Sequence, residues 1–365
     1  MEKILLENCC EILDSMRVPI TATDRVEGPY PYYGANGIQD YVAEYLFDDE
    51  LVLLAEDGGN FGSKDRPIAY RVSGKCWVNN HAHVLKPKNE IDVDYLCYSL
   101  MFYDVGGMVN GATRQKLTQA AMRQMKIPKR SMEEQKYIVN LLGKVAAIKE
   151  KRRREIDALD ELIKARFVEL FGDPSLNTKG YPIKSLPEIA EYWNGLTYKP
   201  EDVDDEGIIV LRSSNIQNAQ LDFEDTVRVT CSIGEKKYVQ DNDILMCSRN
   251  GSARLVGKVA LIKDIEEPMS FGAFMMIIRS QYYPYLMTYF QMPAFRAQIT
   301  TGATTTINQI TGRMLDNVKL PVPEKTEMDN FSSFIEQVDK SKVAVQKALD
   351  EAQLLFNSLM QEYFG

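Results

Sequence analysis

The sequence predicts an α+β fold in which two globular domains are separated by two long antiparallel helices, with a pseudo-two-fold internal repeat. Three features indicate this fold: two similar tail segments 193 residues apart, an apolar seam at helical spacing in each tail, and short strand candidates between turn residues in the two bodies. With 365 residues, the chain is long enough for two or three domains that each bury a core.

The repeat is clearest in the tails. Residues 117–172 recur as residues 310–365 without a gap, an offset of 193 (310 − 117 and 365 − 172). The matching pieces include Lys126-Ile127-Pro128 with Lys319-Leu320-Pro321. Upstream of this stretch, Gly111-Ala112-Thr113 recurs as Gly302-Ala303-Thr304, with two extra residues in the second copy. Between the bodies little sequence is shared, although residues 54–58 and 247–251 both follow an apolar strand candidate. The chain therefore has two variable bodies, each followed by a similar tail.

Each tail is predicted to form one long helix. Ser131 and Glu134 fit a capping box at the start of the first helix, and Gly172 followed by Pro174 ends it. The apolar seams comprise Ile138, Leu142, Val145, Ile156, Leu159 and Ile163 in the first tail, and Phe331, Ile335, Val338, Val345, Leu349 and Phe356 in the second. Lys149, Arg152 and Lys342 interrupt them. Matching seams favour antiparallel pairing of the tails, with packing of each tail on its own body as the alternative.

The predicted boundaries follow from the tails. A first domain covers residues 1–130, a central helix 131–172, a linker 173–180, a second domain 181–323 and a C-terminal helix 324–365. Strand candidates in the bodies are residues 50–54, 68–72, 76–78, 208–211, 244–247 and 259–262, and short helices are expected at 94–103 and 284–291.

Composition indicates a cytoplasmic globular protein. Hydrophobic residues make up 45% and charged residues 26% of the chain, and no run of about 18 apolar residues predicts a membrane span. The six cysteines form no C-x-x-C pair, and with only two histidines no convincing zinc ligand set is expected, so the thiols are predicted to be reduced and mostly buried. The net charge of −9 argues mildly against a protein that coats DNA without sequence preference.

The sequence carries none of the common catalytic motifs of enzymes that act on nucleotides or DNA. The chain lacks a phosphate-binding G-x-x-x-x-G-K-[ST] loop, a dinucleotide fingerprint and the N-P-P-Y type of loop expected of a DNA amino-methyltransferase. His81-Ala82-His83 has no accompanying carboxylate pattern, and polar packing on a strand is favoured over a metal ligand or general base. No catalytic residue, metal ligand or cofactor site is therefore predicted for this chain.

Polar loops in both bodies carry the side-chain types that read base edges: arginines, amides, hydroxyls and aromatics beside flexible backbone. The DNA-binding candidates are Tyr32, Tyr33, Asn36, Asn79, Asn80, Thr113, Arg114, Lys116, Arg212, Ser213, Asn215, Ser248, Arg249, Asn250, Thr304, Thr305 and Thr306. Any one cluster taken alone is more typical of a solvated turn or a helix cap than of a DNA contact. Their occurrence in both halves, with one pair after the matching Gly-Ala-Thr segments, favours DNA recognition.

These features resemble a known family, the DNA specificity subunits of Type I restriction-modification systems (HsdS). The resemblance covers essentially the whole chain and rests on the repeat together with residues 28–37, 54–58, 213–216 and 251–261, the Gly-Ala-Thr segments and the two Lys-x-Pro stretches. It implies that each body is a target recognition domain reading one half of a bipartite double-stranded DNA site. The helices would then form a coiled-coil-like spacer that sets the unread gap.

The resemblance also implies partners. Two methylation subunits (HsdM), which carry S-adenosylmethionine, would dock around the helices, and two motor-nuclease subunits (HsdR) would join for cleavage. This chain would hold no cofactor and be non-catalytic. One alternative is a structural or antirestriction homologue that binds methylation subunits without directing them to DNA, and another is a methyltransferase fused to a recognition domain.

Overall fold

The computed structural model describes residues 2–111, 114–300 and 308–365, and of Thr300 only the backbone. Two compact units are present: Met1–Arg153 together with Gln346–Gly365, and Arg154–Val345. Each long helix therefore contributes residues to both units. Among the described residues, none of the helices is long and apolar enough to cross a membrane.

The first unit contains the following strands and short helices. The strands are β1 (Lys3–Leu5), β2 (Cys10–Ile12), β3 (Glu27–Gly34), β4 (Gly37–Val42), β5 (Phe47–Ala55), β6 (Ala69–Val78), β7 (Ala82–Pro87), β8 (Val109–Asn110), β9 (Lys116–Leu117) and β10 (Lys126–Pro128). The helices are α1 (Leu6–Cys9), α2 (Val93–Met101) and α3 (Gln119–Arg123), and the first long helix, α4, covers Met132–Phe171.

A six-stranded sheet with the order β2-β7-β5-β6-β3-β4 forms the centre of this unit. β5 pairs antiparallel with both β6 and β7, and its residues Leu51 to Ala55 are all buried. α2 covers one face of the sheet and buries Tyr95, Leu96 and Leu100 in the same apolar cluster as Leu54. The core thus lies between the sheet and the helices, and the loops at the strand ends remain at the surface.

The separate strands predicted at 68–72 and 76–78 were wrong: the structure has one strand, Ala69–Val78. Residues Ser73-Gly74-Lys75 lie between the two predicted strands and have the composition of a turn. They continue the pairing of β6 with β5, with Gly74 opposite Asp49 and Lys75 opposite Asp48. The long partner strand β5 offers unbroken backbone hydrogen bonding across this stretch, and this tertiary pairing outweighs the local turn preference.

The second unit has its own strands and helices. The strands are β11 (Ile183–Ser185), β12 (Glu191–Asn194), β13 (Val203–Leu211), β14 (Ile216–Gln217), β15 (Gln220–Leu221), β16 (Arg228–Val229), β17 (Ile244–Cys247), β18 (Val259–Leu261), β19 (Met269–Phe271), β20 (Met275–Arg279) and β21 (Lys319–Pro321). The helices are α5 (Tyr283–Tyr289), α6 (Pro293–Thr300), α7 (Gly312–Asp316) and the second long helix, α8 (Lys325–Phe364).

Two small sheets form the body of this unit, in the orders β12-β20-β17-β18 and β16-β13-β19. The central strand β17 is buried at all four positions, Ile244 to Cys247. The predicted strands at 208–211, 244–247 and 259–262 and the helix near 284–291 fall on β13, β17, β18 and α5. Alternate residues of β17 contribute to different apolar clusters, so this strand organises the packing on both of its faces.

The internal repeat is visible in the pairing that opens and closes each body. β1 pairs antiparallel with β10, and β11 pairs antiparallel with β21. After each first strand, the Leu6 N–H donates to the Met125 carbonyl (2.8 Å), and the Leu186 N–H donates to the Val318 carbonyl (2.9 Å). Met125 and Val318 are 193 residues apart, so the backbone contacts obey the repeat found in the sequence.

The long helices begin and end as the sequence indicated. Ser131 and Glu134 form the capping box, because the Glu134 carboxylate accepts from the Ser131 N–H (2.9 Å) and the Ser131 hydroxyl accepts from the Glu134 N–H (3.3 Å). At the other end of α4, Gly172 has φ +75, a conformation that favours glycine, and its N–H donates to the Val168 carbonyl.

Antiparallel pairing of the helices is seen within each unit. In the second unit Phe167 of α4 contacts Phe331 of α8, with 5.7 Å between the ring centroids. Asp160, which precedes Phe167 on α4, pairs with Lys342, which follows Phe331 on α8. The two helices therefore run in opposite directions here. In the first unit the Lys149 ammonium lies 4.4 Å from the ring centroid of Phe356. Two of the charged residues that interrupt the seam, Lys149 and Lys342, therefore contact the opposite helix.

Burial along the seam differs between its ends and its middle. Ile138, Leu142, Val145, Phe331, Val338 and Phe356 are buried, whereas Ile156, Leu159, Ile163, Ile335, Val345 and Leu349 are half-buried. The seam is completed at its ends by the bodies: Ile138 and Leu142 belong to the same apolar cluster as strand β5, and Phe331 to that of β17. Helix pairing and packing on the bodies, considered as alternatives, both occur.

Phe171→Ala should lower the free energy of unfolding of the second unit by about 3–5 kcal/mol, because a fully buried ring is removed. Phe171 is 1% exposed and packs edge-on against Tyr285 (5.2 Å) and Phe331 (5.3 Å). The chain has two tryptophans, Trp77 in the first unit and Trp193 in the second. Urea unfolding monitored by fluorescence in a Trp77→Phe background therefore reports on the second unit.

The matched control is Phe364→Ala, at the repeat-equivalent position. Phe364 stacks on Tyr95 (5.4 Å) in the first unit but is only half-buried. Unfolding of the first unit is monitored through Trp77 in a Trp193→Phe background. Phe364→Ala should lower the free energy of unfolding of that unit by less than Phe171→Ala lowers that of the second unit. A loss equal to or larger than that of Phe171→Ala would contradict the packing described.

Candidate nucleic-acid interface

A backbone frame gathers the polar loops of the first unit. The Leu117 N–H donates to the Glu56 carbonyl (2.7 Å), and the Gly58 N–H donates to the Gln115 carbonyl (3.4 Å). At the tip of the β3–β4 hairpin, the Asn36 amide donates to the Gly58 carbonyl (2.9 Å). Three segments that are distant in sequence, the hairpin tip, residues 56–58 and residues 114–117, therefore meet at one end of the sheet.

Charged side chains project from this frame. The Asp57 carboxylate accepts from Arg114 (2.8 Å) and lies 2.6 Å from Nδ1 of His81. Lys116 pairs with Glu56 at 2.8 Å. The side chains of Arg114 and Lys116 are 58% and 49% exposed, so both are held at their bases and still reach solvent.

Beneath the frame lies a buried network of charged groups. The Arg17 guanidinium donates to the Glu56 carboxylate (2.6 Å), and Asp14 lies 2.7 Å from Nδ1 of His83. The other ring nitrogen of His83, Nε2, donates to the Leu117 carbonyl (2.9 Å). The network ties Glu56, which directly follows β5, to His83 on β7, and both to the segment that follows Lys116.

The carboxylates of this network are stabilised in their charged form. Burial raises the pKa of Asp14, but the hydrogen bond and charge of His83, with further hydrogen bonds from Gln119 and the Val84 N–H, bring it below its ordinary value. Burial likewise raises the pKa of Glu56, but hydrogen bonds from Lys116 and Arg17 and nearby positive charge lower it overall. Both groups therefore contribute as carboxylates at neutral pH.

The sequence interpretation of the histidine pair needs correction. Each histidine has a carboxylate partner, Asp57 for His81 and Asp14 for His83, although no local pattern indicated one. The two side chains also differ, because β7 starts at Ala82: His83 is fully buried and His81 is half-buried in the loop before the strand. Polar packing is the arrangement seen for His83.

Asp14, Glu56 and His83 place one potential metal ligand each within 4.8 Å of one another. The chemistry of this donor set does not fit a cation. Arg17 and Lys116 already neutralise the Glu56 carboxylate, and both His83 nitrogens have oxygen partners. The group is better described as a salt-bridged support for the loops.

The second unit repeats the backbone frame. The Ile310 N–H donates to the Ser248 carbonyl (2.7 Å), and the Asn250 N–H donates to the Asn308 carbonyl (3.3 Å). Arg249 and Gln309 form the isolated bridge that Asp57 and Lys116 form in the first unit. Arg249 therefore occupies the position of Asp57, with the opposite charge.

Side-chain contacts extend the second frame. The Asn250 amide donates to the Ser213 hydroxyl (3.1 Å), and the Asn308 amide donates to the Gly251 carbonyl (3.1 Å). Arg212 pairs with the exposed Asp225 at 2.7 Å. The loops around Ser213, Asn250 and Asn308 thus lie together, as the loops around Asn36, Gly58 and Arg114 do in the first unit.

The structure sorts the DNA-binding candidates by exposure. Asn36, Asn80, Arg114 and Lys116 are exposed, and Tyr33, Arg212, Ser213, Arg249 and Asn250 are half-buried. Tyr32, Asn79, Asn215 and Ser248 are buried, between 1% and 3% exposed. Thr113, Thr304, Thr305 and Thr306 lie outside the described residues.

The buried candidates have internal partners instead of free polar edges. Asn79 donates to Gln39 (3.0 Å) and accepts from the His81 N–H (2.8 Å). Asn215 accepts from the Arg212 N–H (2.8 Å) and donates to two carbonyls of the following loop. Polar residue type predicted a surface role for these side chains, whereas long-range contacts place them inside the loops they stabilise.

Two contributors to these surfaces were missed. Asp57 fixes Arg114, and Phe274 lies with its ring 59% exposed beside Arg249. The position of Asp57 next to Gly58 in a repeat-equivalent segment was a usable signal. Phe274 offered none, because an aromatic residue between two apolar strands is more often part of the core.

Comparison with known proteins shows sequence similarity to Type I restriction enzyme specificity subunits. Residues 1–158 match the family model for the Type I restriction modification DNA specificity domain. A putative type I restriction enzyme specificity subunit of Haemophilus influenzae is 37% identical over 39% of this chain, and the match spans only 37% of that relative's length. The type I restriction enzyme MjaVIII specificity subunit of Methanocaldococcus jannaschii is 23% identical over 95% of this chain and 89% of its own.

The fold is similar to that of a solved structure along the whole chain. The crystal structure of the S subunit of a Type I restriction-modification system from M. genitalium has a TM-score of 0.55, with 14% identity, covering 100% of this chain and 96% of that one. At this identity the likeness concerns the fold.

Acidification should destabilise the first unit. Because the folded pKa values of Asp14 and Glu56 lie below their ordinary values of 3.8 and 4.5, their stabilisation is present above those values and is lost as pH falls below them. Glu56→Gln should lower the free energy of unfolding by about 3 kcal/mol at pH 7 and should reduce its pH dependence. Arg17 and Lys116 both lose the Glu56 carboxylate, and Arg17 keeps the longer ion pair with Asp14 (3.5 Å). Urea unfolding reported by Trp77 measures both effects.

The control for this test is Glu11→Gln, at an exposed position of β2. It should leave both the stability at pH 7 and the acid dependence close to those of the parent protein. A Glu56→Gln variant as stable as the control would show that the buried network contributes nothing net.

Proposed function

We propose that this protein is the DNA specificity subunit of a Type I restriction-modification complex and that each unit reads one half of a bipartite duplex site. The observation that carries the proposal is the repeated backbone frame. It fixes two equivalent loop groups through main-chain hydrogen bonds and presents different side chains from each, with Asp57 in one unit where Arg249 stands in the other. Equivalent frames with different polar chemistry suit two half-sites of different sequence.

The exposed and half-buried side chains have the chemistry needed for base reading. In the first unit Asn36, Arg114 and Lys116 offer an amide and two cations, and in the second Ser213, Arg249 and Asn250 offer a hydroxyl, a guanidinium and an amide. Amides pair with adenine edges and guanidinium groups with guanine edges in the major groove. These local groups, together with partner subunits, make an overall charge of −9 compatible with DNA binding.

The buried candidates are assigned a supporting role in this proposal. Tyr32, Asn79, Asn215 and Ser248 hold the loops in shape, since each is at most 3% exposed. A reader of base edges needs loops that are fixed before DNA binds, because ordering them on binding would cost conformational entropy. Thr113 and Thr304 to Thr306, which lie outside the described residues, stay predictions as direct DNA contacts.

The remaining parts of the proposal concern partners. We expect two methylation subunits carrying S-adenosylmethionine and two motor-nuclease subunits, with all of the catalysis in those partners, since specificity subunits are non-catalytic. The two helices, Met132–Phe171 and Lys325–Phe364, would act as the spacer that fixes the unread gap. The cytoplasm, where host DNA is found, is the expected location.

Methylome sequencing tests the proposal. Cells lacking other adenine methylation would express the chain with its cognate methylation subunits, and cells expressing the methylation subunits alone would serve as the control. A new motif with two short specified halves and a fixed unread gap is expected. A stable complex that leaves no new motif would favour a homologue that binds methylation subunits without directing them to DNA.

Arg114→Ala should relax recognition of one half-site, and Arg249→Ala of the other, by about 1–3 kcal/mol in base discrimination. Each arginine projects from the frame of a different unit, so the two variants should affect different halves of the motif. Methylome sequencing of both variants measures this directly. Lys88→Ala is the control, because Lys88 follows β7 at the opposite end of that strand from His81. Equal loss in both halves from either arginine variant would contradict the assignment.

A further inference from the structure

We propose that Phe274 positions Arg249 to read a guanine in the half-site bound by the second unit. The inference rests on the proposed function and deepens it, by naming one base class and a positioning residue. Phe274 contributes no polar group of its own. Its assigned role is to hold the plane of the arginine side chain.

Phe274 contacts Arg249 through its backbone carbonyl and through its side-chain ring. The Phe274 carbonyl accepts hydrogen bonds from the Ser248 N–H (2.9 Å) and the Arg249 N–H (3.1 Å). The Arg249 guanidinium carbon lies 5.2 Å from the centroid of the Phe274 ring. A ring that is 59% exposed next to an immobilised backbone forms a rigid platform at the surface.

The Arg249 guanidinium differs from its neighbours in its partners. Arg212, Arg228 and Arg279 pair with Asp225, Glu267 and Asp243 respectively. Within residues 2–111, 114–300 and 308–365, no carboxylate or hydrogen-bond acceptor contacts the Arg249 guanidinium. The guanidinium lies within cation–π distance of the Phe274 ring, and the hydrogen-bonding capacity of its N–H groups is not used by this part of the chain.

A guanidinium that lies beside an aromatic ring and has no acceptor among the described residues, as in Arg249, suits a guanine edge better than a phosphate. Guanine presents O6 and N7 as two adjacent acceptors, which match the planar fork of arginine. Contact with a phosphate requires a positive charge that can extend to the DNA backbone, and a mobile, exposed arginine or lysine side chain meets both requirements. Arg254, exposed on the short 3-10 helix Ala253–Leu255, has that character and provides a nearby comparison.

The first unit achieves a fixed arginine by another route. There the repeat-equivalent position holds Asp57, whose carboxylate fixes Arg114 at 2.8 Å. In the second unit the same frame position carries the arginine itself, and an aromatic ring replaces the carboxylate as its support. Each loop group thus presents one immobilised guanidinium.

The test uses the complex of the full chain with its methylation subunits. Methylome sequencing first supplies the motif, and Arg249→Ala identifies the half read by the second unit. Dissociation constants are then measured for duplexes carrying guanine or adenine at each specified position of that half. Arg249→Ala and Phe274→Ala should each reduce the preference for guanine about 10- to 100-fold at one position, whereas Phe274→Tyr should preserve it.

Chemical substitution of the DNA gives a readout that needs no protein variant. Replacing that guanine by 7-deazaguanine removes N7 and should weaken binding of the parent protein at least about 5-fold. The same replacement should not weaken Arg249→Ala further, because the contact is already lost. Arg254→Ala, the matched control, should keep the guanine preference and respond to 7-deazaguanine as the parent does.

The outcomes separate the two levels of the proposal. No split motif in the parent protein would reject the proposed function itself. A split motif whose guanine preferences are unchanged in Arg249→Ala, or a weakening equal for all sequences, would reject guanine reading and indicate a phosphate contact. Guanine reading that persists in Phe274→Ala, with Trp193 fluorescence showing a folded second unit, would reject the positioning role of the ring.

Discussion

The constraint on which the rest of the structure depends is a pair of main-chain hydrogen bonds, from Leu117 to Glu56 and from Ile310 to Ser248, both 2.7 Å long. Each joins the segment that leads into a long helix to the end of a central strand. Because only backbone atoms take part, the side chains at the neighbouring positions are not fixed by the fold. The same frame can therefore present unrelated chemistry, which is what a reader of two different half-sites requires.

The two units support this frame by different means. In the first, Glu56 is buried and charged, and Arg17 and Lys116 stabilise it. In the second, its equivalent Ser248 is a small neutral residue, 3% exposed, and the adjacent Phe274 carbonyl holds the loop. Buried ion pairs contribute little net stability but fix geometry. We infer that the first unit relies on charge and the second on packing to hold equivalent loops.

Much of the architecture was predictable from the sequence, because it is written in local periodicity and in the repeat. The helix starting after Ser131, the end at Gly172 and the strand Ile244–Cys247 all agree with local signals. What local signals could not give was burial of polar groups and strand continuity. Asn79 and Asn215 are enclosed by partners remote in sequence, and the strand Ala69–Val78 passes through an apparent turn because a long partner strand pairs with it.

Photo-crosslinking of the assembled complex tests most directly whether the two frames face different half-sites. A photoreactive phenylalanine analogue would replace Asn36 in the first unit or Asn308 in the second, with Lys88 as the control position, on a duplex labelled separately in each half. The account predicts crosslinks from Asn36 to one half only, from Asn308 to the other half only, and none from position 88. Crosslinks from both frames to the same half, or from neither, would contradict it.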